Sequence, residues 1–153
     1  MGQREENVYD ILFFESVLDE AAGTSTETCL WYAYTKDFRS FETQPEVLFR
    51  TQSGADCIDG DIVVKDGKYY LYYKDQGLDD ICYAVSDSLT GPYTAPENNV
   101  VNVRYQGVEG SFVYKLTGTD TYVMIMDSYK NGCFYMQQSE DLVNFKRVNP
   151  RDY

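Results

Sequence analysis

The sequence predicts an all-β fold: a β-propeller of four-stranded antiparallel blades, about three of them, forming one domain over residues 1–153. Three observations carry this reading. A phrase recurs as Cys57-Ile58-Asp59-Gly60-Asp61-Ile62-Val63 and Gly107-Val108-Glu109-Gly110-Ser111-Phe112-Val113, which align without a gap. Each phrase leads through a turn into a tyrosine-bearing run that ends on an aspartate, Asp75 or Asp127. Each repeat closes on a serine or threonine signature: Thr35-Lys36-Asp37-Phe38, Ser86-Asp87-Ser88-Leu89 and Ser139-Glu140-Asp141-Leu142. A period of roughly 50 residues with several short strands per unit marks a propeller blade. Fifteen tyrosines and eight phenylalanines against one tryptophan favour strands over helices.

The elements follow in order. The first blade, 1–52, lacks its beginning. Val8 to Phe14 reads as a buried strand, a polar loop spans Leu18 to Thr28, and Cys29 to Tyr34 is the next strand. Phe38 and Phe41 are expected to pack a short outer strand that ends near Leu48 and Phe49. The second blade, 53–103, is complete. Its inner strand Ile58–Val64 meets Lys65-Asp66-Gly67-Lys68, whose Asp-Gly pair suits a two-residue hairpin. Strands at Tyr69–Lys74 and Asp80–Val85 follow, and Thr90-Gly91-Pro92-Tyr93 breaks the chain before an outer segment. The third blade, 104–153, runs through Phe112–Leu116, a Thr117–Asp120 turn, Tyr122–Met126, Cys133–Gln138 and Phe145–Val148. No window sustains a helical period.

Composition excludes several functions. A net charge of −12 leaves no basic footprint for nucleic acid or for an anionic membrane. No stretch has the length of a transmembrane helix. Met1 to Asn7 is polar and acidic without a signal segment, so localisation stays open: cytoplasmic as written, exported if the natural protein is longer. Cys29, Cys57, Cys82 and Cys133 occupy different repeat positions without metal spacing, and the chain has no histidine. They are read as unpaired thiols, Cys82 and Cys133 as small buried hydrophobes, and no metal or cofactor is expected.

Equivalent residues of successive blades lie on a ring about one axis. The gapless alignment therefore sets Asp59 and Glu109 facing each other across the narrow end of a shared cavity. Paired carboxylates in such a place are the machinery of glycoside cleavage. An inner-strand acid also serves to bind backbone amides of the next blade, and the repeat alone does not separate these roles. Asp61 shares a strand face with Asp59 and reads as a supporting substrate-binding residue. Asp75 and Asp127 read as turn or interblade acceptors. Arg104, Tyr105 and Tyr129 are candidates for contact with sugar hydroxyls.

Taken together, these motifs resemble glycoside hydrolase family 43, the five-bladed propellers that include arabinofuranosidases, β-xylosidases and arabinanases. Thr35-Lys36-Asp37-Phe38-Arg39-Ser40-Phe41 is similar to that family's blade-closing turn, and Ile58-Asp59 to its inner "I-D" strand. Asp66-Gly67-Lys68-Tyr69-Tyr70-Leu71 to Asp75 resembles its "D-G-K-Y-Y-L" hairpin, and Ser88 to Tyr93 its "L-x-G-P-Y" turn. Val108-Glu109-Gly110 is similar to "E-G-P", with Ser111 in place of the proline. The resemblance implies inverting hydrolysis of pentose-containing saccharides, with Glu109 as general acid and Asp59 as pKa modulator. The family's general base, its "W-A-P-E" strand and a last-blade histidine have no counterpart, so the match covers roughly blades two to four.

Two readings follow: a hydrolase with an incomplete site, or a carbohydrate-binding or interaction module derived from the same propeller. A kelch-like docking propeller is disfavoured by the ring acids. Closed propellers have four to eight blades. With three blades, either further blades belong to a longer natural protein, or a homodimer or a partner chain completes the ring.

Overall fold

The computed structural model describes residues 10–17, 28–101 and 107–148. They form three antiparallel sheets. Strands β1 (Asp10–Val17), β2 (Thr28–Thr35) and β3 (Glu46–Phe49) make the first, and β4 (Cys57–Lys65), β5 (Lys68–Asp75) and β6 (Asp80–Ser86) the second. The third contains β7 (Glu109–Lys115), β8 (Tyr122–Ser128), β9 (Cys133–Ser139) and β10 (Lys146–Arg147). Each sheet runs up and down in chain order, and the three stand as blades of a partial propeller. Among the described residues no helix is long and apolar enough to cross a membrane.

The second sheet has an irregular fourth member. Thr94 and Val85 exchange backbone hydrogen bonds of 2.9 and 3.0 Å, and the Tyr83 N–H donates to the Asn99 carbonyl at 2.9 Å. Pro92 and Pro96 cannot donate to a ladder, which keeps this segment from pairing as a regular strand.

Turn chemistry behaves as the residue types dictate. Asp66 and Gly67 adopt φ of 52° and 76°, the positive values a tight hairpin requires. In the blade-closing turn, the Thr35 hydroxyl accepts from the Asp37 and Phe38 N–H groups, and Asp37 accepts from those of Arg39 and Ser40. Ser139 and Asp141 repeat the arrangement with Asp141, Leu142, Val143 and Asn144. Phe38 (φ 55°) and Leu142 (φ 66°) occupy the same left-handed position.

Blade stacking builds the core. Leu30, Tyr32 and Leu48 of the first blade pack on Leu71, Tyr73, Cys82 and Ala84 of the second. Tyr72, Ile81 and Tyr83 leave the second blade's other face to meet Val113, Met124, Leu142 and Phe145 of the third. Strand β5 is thus buried on both faces, which explains why it reads as one continuous apolar run. The buried Tyr72 hydroxyl donates to the Leu142 carbonyl at 2.7 Å, and its ring meets Phe145 edge-on at 5.9 Å.

Three sequence expectations are corrected. First, strand registers displace the repeat by one residue. Ile58 pairs with Lys74 and Asp61 with Tyr72, which leaves Asp59 and Gly60 as a bulge. Glu109 pairs with Asp127 and Phe112 with Ile125, which leaves Gly110 and Ser111 as the matching bulge. Asp59 (φ 55°) therefore corresponds to Gly110 (φ 58°), and Glu109 to Ile58. By the same token Asp127 corresponds to Lys74, not to Asp75. The backbone conformation at the bulge, not the shared acidity, defines equivalence. Second, Phe38 and Phe41 do not pack an outer strand: they are 66% and 50% exposed. Third, Cys133 is exposed, whereas Cys29, Cys57 and Cys82 are buried; no disulfide joins any two of the four.

Candidate active site

The inner strands β4 and β7 lie side by side, and β7 turns an edge of backbone N–H groups toward β4. Unpaired edge amides need acceptors. Two aspartates of β4 supply them: Asp59 Oδ2 accepts from the Gly110 N–H at 2.8 Å, and Asp61 Oδ2 from the Val113 N–H at 2.7 Å. Both acids are interblade clamps, and Asp59 is clamped to the amide that directly follows Glu109. Asp59 thus reaches the backbone next to Glu109, although the two are not equivalent members of a ring.

Asp61 is largely enclosed. Burial pushes its carboxyl above the usual range, and the N–H groups of Val113 and Ile62 partly offset that. Glu109 is half-buried and stands opposite Asp127 on β8. A cavity of about 610 Å³ opens between the first two blades, lined by Asp59, Gly60 and Asp61 with Phe13, Leu30, Ile62 and Leu71 among its apolar walls. Glu109 is not part of that lining. Asp59 is therefore the link between this cavity and Glu109. Ser111, beside them in the bulge, is buried with a hydroxyl that has no hydrogen-bond partner among the described residues.

A second cluster sits at the same end of the blades, where β5 turns into β6 and β8 ends. Lys74 is fully buried, its Nζ 2.5 Å from Asp79 Oδ1. Lys130 pairs with the other oxygen of Asp79. The Tyr129 hydroxyl donates to Asp79 at 3.3 Å, and the ammonium groups of Lys130 and Lys74 lie 5.5 and 5.9 Å from its ring. Hydrogen bonds from Lys130 and then Lys74 hold the Asp79 carboxyl down at about 2. Asp79 also pins the chain entering β7, because its carbonyl accepts from the Gly107 N–H at 3.4 Å.

Of the predicted site residues, Asp59, Asp61 and Glu109 gather where β4 meets β7. Tyr129 lies at the same end, partly exposed in a 3-10 turn, Tyr129–Asn131. Arg104 and Tyr105 fall outside the described residues. Asp75 is a turn acceptor, taking the Leu78 N–H at 3.0 Å. Sequence reasoning missed Lys74, Asp79 and Lys130. Their one advance signal was a lysine inside an otherwise apolar run, since a buried lysine needs a paired carboxylate.

Comparison with known proteins agrees with this architecture. The chain is similar in fold to a thermostable family-43 glycoside hydrolase, with a TM-score of 0.67, 13% identity and 95% of this chain covered. The β-xylosidase RS223 matches with a TM-score of 0.62 and 19% identity over 90% of this chain. The chain spans 55% of the first structure's length and 54% of the second's. No curated protein matches it. A family model described as a probable glycosyl hydrolase domain, related to glycoside hydrolase family 43, matches residues 3–153, and the chain belongs to that family.

Proposed function

We propose that the chain binds pentose-containing saccharides, arabinofuranosides or xylosides, at the end where β4 meets β7, with Glu109 as the proton donor to the leaving oxygen. Asp59, clamped to the Gly110 amide beside Glu109, is the residue that orients the acid. The observation that carries this reading is the Asp59 bond to the Gly110 amide, which fixes that carboxylate on the residue next to Glu109 in the chain. Tyr129, steadied by Asp79 and Lys130, and Asp61 line the approach; Arg104 is a further candidate for sugar contact.

Inverting cleavage also needs a base placed roughly 6.5–9.5 Å from the acid, with water between. The resemblance assigns that base to a blade preceding the first matched motif. The test pairs calorimetric titration with xylo- and arabino-oligosaccharides against release of nitrophenol from aryl pentosides. Glu109→Gln is expected to lower release by about 10²–10⁴-fold while affinity changes little. Release unchanged in the variant removes Glu109 from its role, and absence of binding to either saccharide overturns the reading.

A further inference from the structure

Each blade presents one side-chain row to the blade that follows. In the first it is Leu30 and Tyr32, in the second Ile81 and Tyr83, all buried. Counted back from the closing Thr35, Ser86 and Ser139, the same places in the third blade hold Phe134 and Met136, which are 72% and 43% exposed. Met136 pairs with Ile125, and Ile125 with Phe112, itself 58% exposed. Among the described residues, the third blade thus carries a forward-facing apolar row with no blade upon it.

The opposite end carries the complement. Leu142 and Phe145, from the third blade's closing turn, share one buried cluster with Tyr72 of the second, whose hydroxyl donates to the Leu142 carbonyl and whose ring meets Phe145. Phe38 and Phe41 occupy those places in the first blade's turn, within the same hydrogen-bond pattern and with the same left-handed residue. They lie mostly in solvent (66% and 50%). One molecule therefore displays the two halves of an interface that it already builds once inside itself.

We propose that two copies of the chain join head to tail, Phe134, Met136 and Phe112 of one copy receiving Phe38 and Phe41 of the other. Two such contacts related by a two-fold axis close a ring, which leaves neither surface over for further growth. The closed ring supplies the missing wall beside Glu109. That last consequence rests on the proposed function; the association itself does not.

The measurement is molar mass by light scattering on the full chain, across a dilution series in about 0.15 M salt, where repulsion between two copies of charge −12 is screened beyond about 8 Å. The expected mass is twice the 17.6 kDa of one chain. Phe38→Asp and Phe134→Asp each give single chains. An equimolar mixture of the two variants regains a two-chain species, because each contributes one intact half. Circular dichroism verifies that both variants fold, and Phe→Ser replaces either that does not. A wild type that stays single at every concentration overturns the proposal. So does a pair indifferent to Phe38→Asp, which would mean third blade against third blade, or a mixture that stays single. Saccharide binding does not enter the readout, so failure of the site reading leaves this result intact.

Discussion

Asp59 does two jobs that pull on its backbone. It holds a left-handed φ of 55°, which costs most residues about 1 kcal/mol or more but suits aspartate and asparagine, and its carboxylate satisfies the Gly110 amide. Asp59→Asn keeps both the acceptor and the conformational tolerance, so its urea midpoint should match the wild type within error. Asp59→Ala loses the acceptor and keeps the strain, and should cost about 1–2 kcal/mol. Equal midpoints for the two variants would show that the clamp does not hold the inner strands together. The acid itself was legible in the sequence. Its hydrogen-bond partner was not, because a backbone amide 51 residues away leaves no mark on local pattern.

Among the elements, β5 and its neighbours show how alternation becomes stacking. Leu71 and Tyr73 face one blade while Tyr72 faces the other, so a run that hides its period is a strand enclosed on both sides. Tyr72→Phe is a sharp probe of the seam between the second and third blades. It removes the donor from the buried Leu142 carbonyl, and about 1–3 kcal/mol of stability should go with it in chemical unfolding. A smaller loss would mean that the turn relaxes and the seam tolerates the unmet carbonyl. Strand positions and the closing turns were readable because their signals are local: the Asp66-Gly67 hairpin and the Ser or Thr caps act within four residues. Thr90 to Tyr93, with Pro92, marked the break in the second blade, but not the way Thr94 and Asn99 still reach β6.

For the whole molecule, charge is the governing quantity. Asp79 ties Lys74 of the second blade to Lys130 of the third, and the two ammonium groups depress its carboxyl to about 2 from an ordinary 3.8. A depressed folded value means that ionised Asp79 stabilises the fold. The contribution is complete above pH 3.8 and disappears as pH falls through about 2. Asp61 works the other way: its carboxyl is raised by burial, so its contribution declines as pH climbs above 3.8. Urea midpoints followed from pH 5 to pH 2 should fall steeply in the wild type, and less steeply in Asp79→Asn. Parallel slopes would remove Asp79 from the acid response.

From residue order alone come the all-β class, the blade repeat, the closing turns and the acids of the inner strands, since each is written in short-range pattern. Tertiary structure alone decided that Asp59 matches Gly110 rather than Glu109, that Lys74 is buried against Asp79, and that Phe38 and Phe134 are left facing solvent. Register and burial are set by contacts between blades, across 51 and 52 residues for the two aspartate clamps. At such a bulge the conformation the backbone must adopt outweighs the kind of side chain it carries.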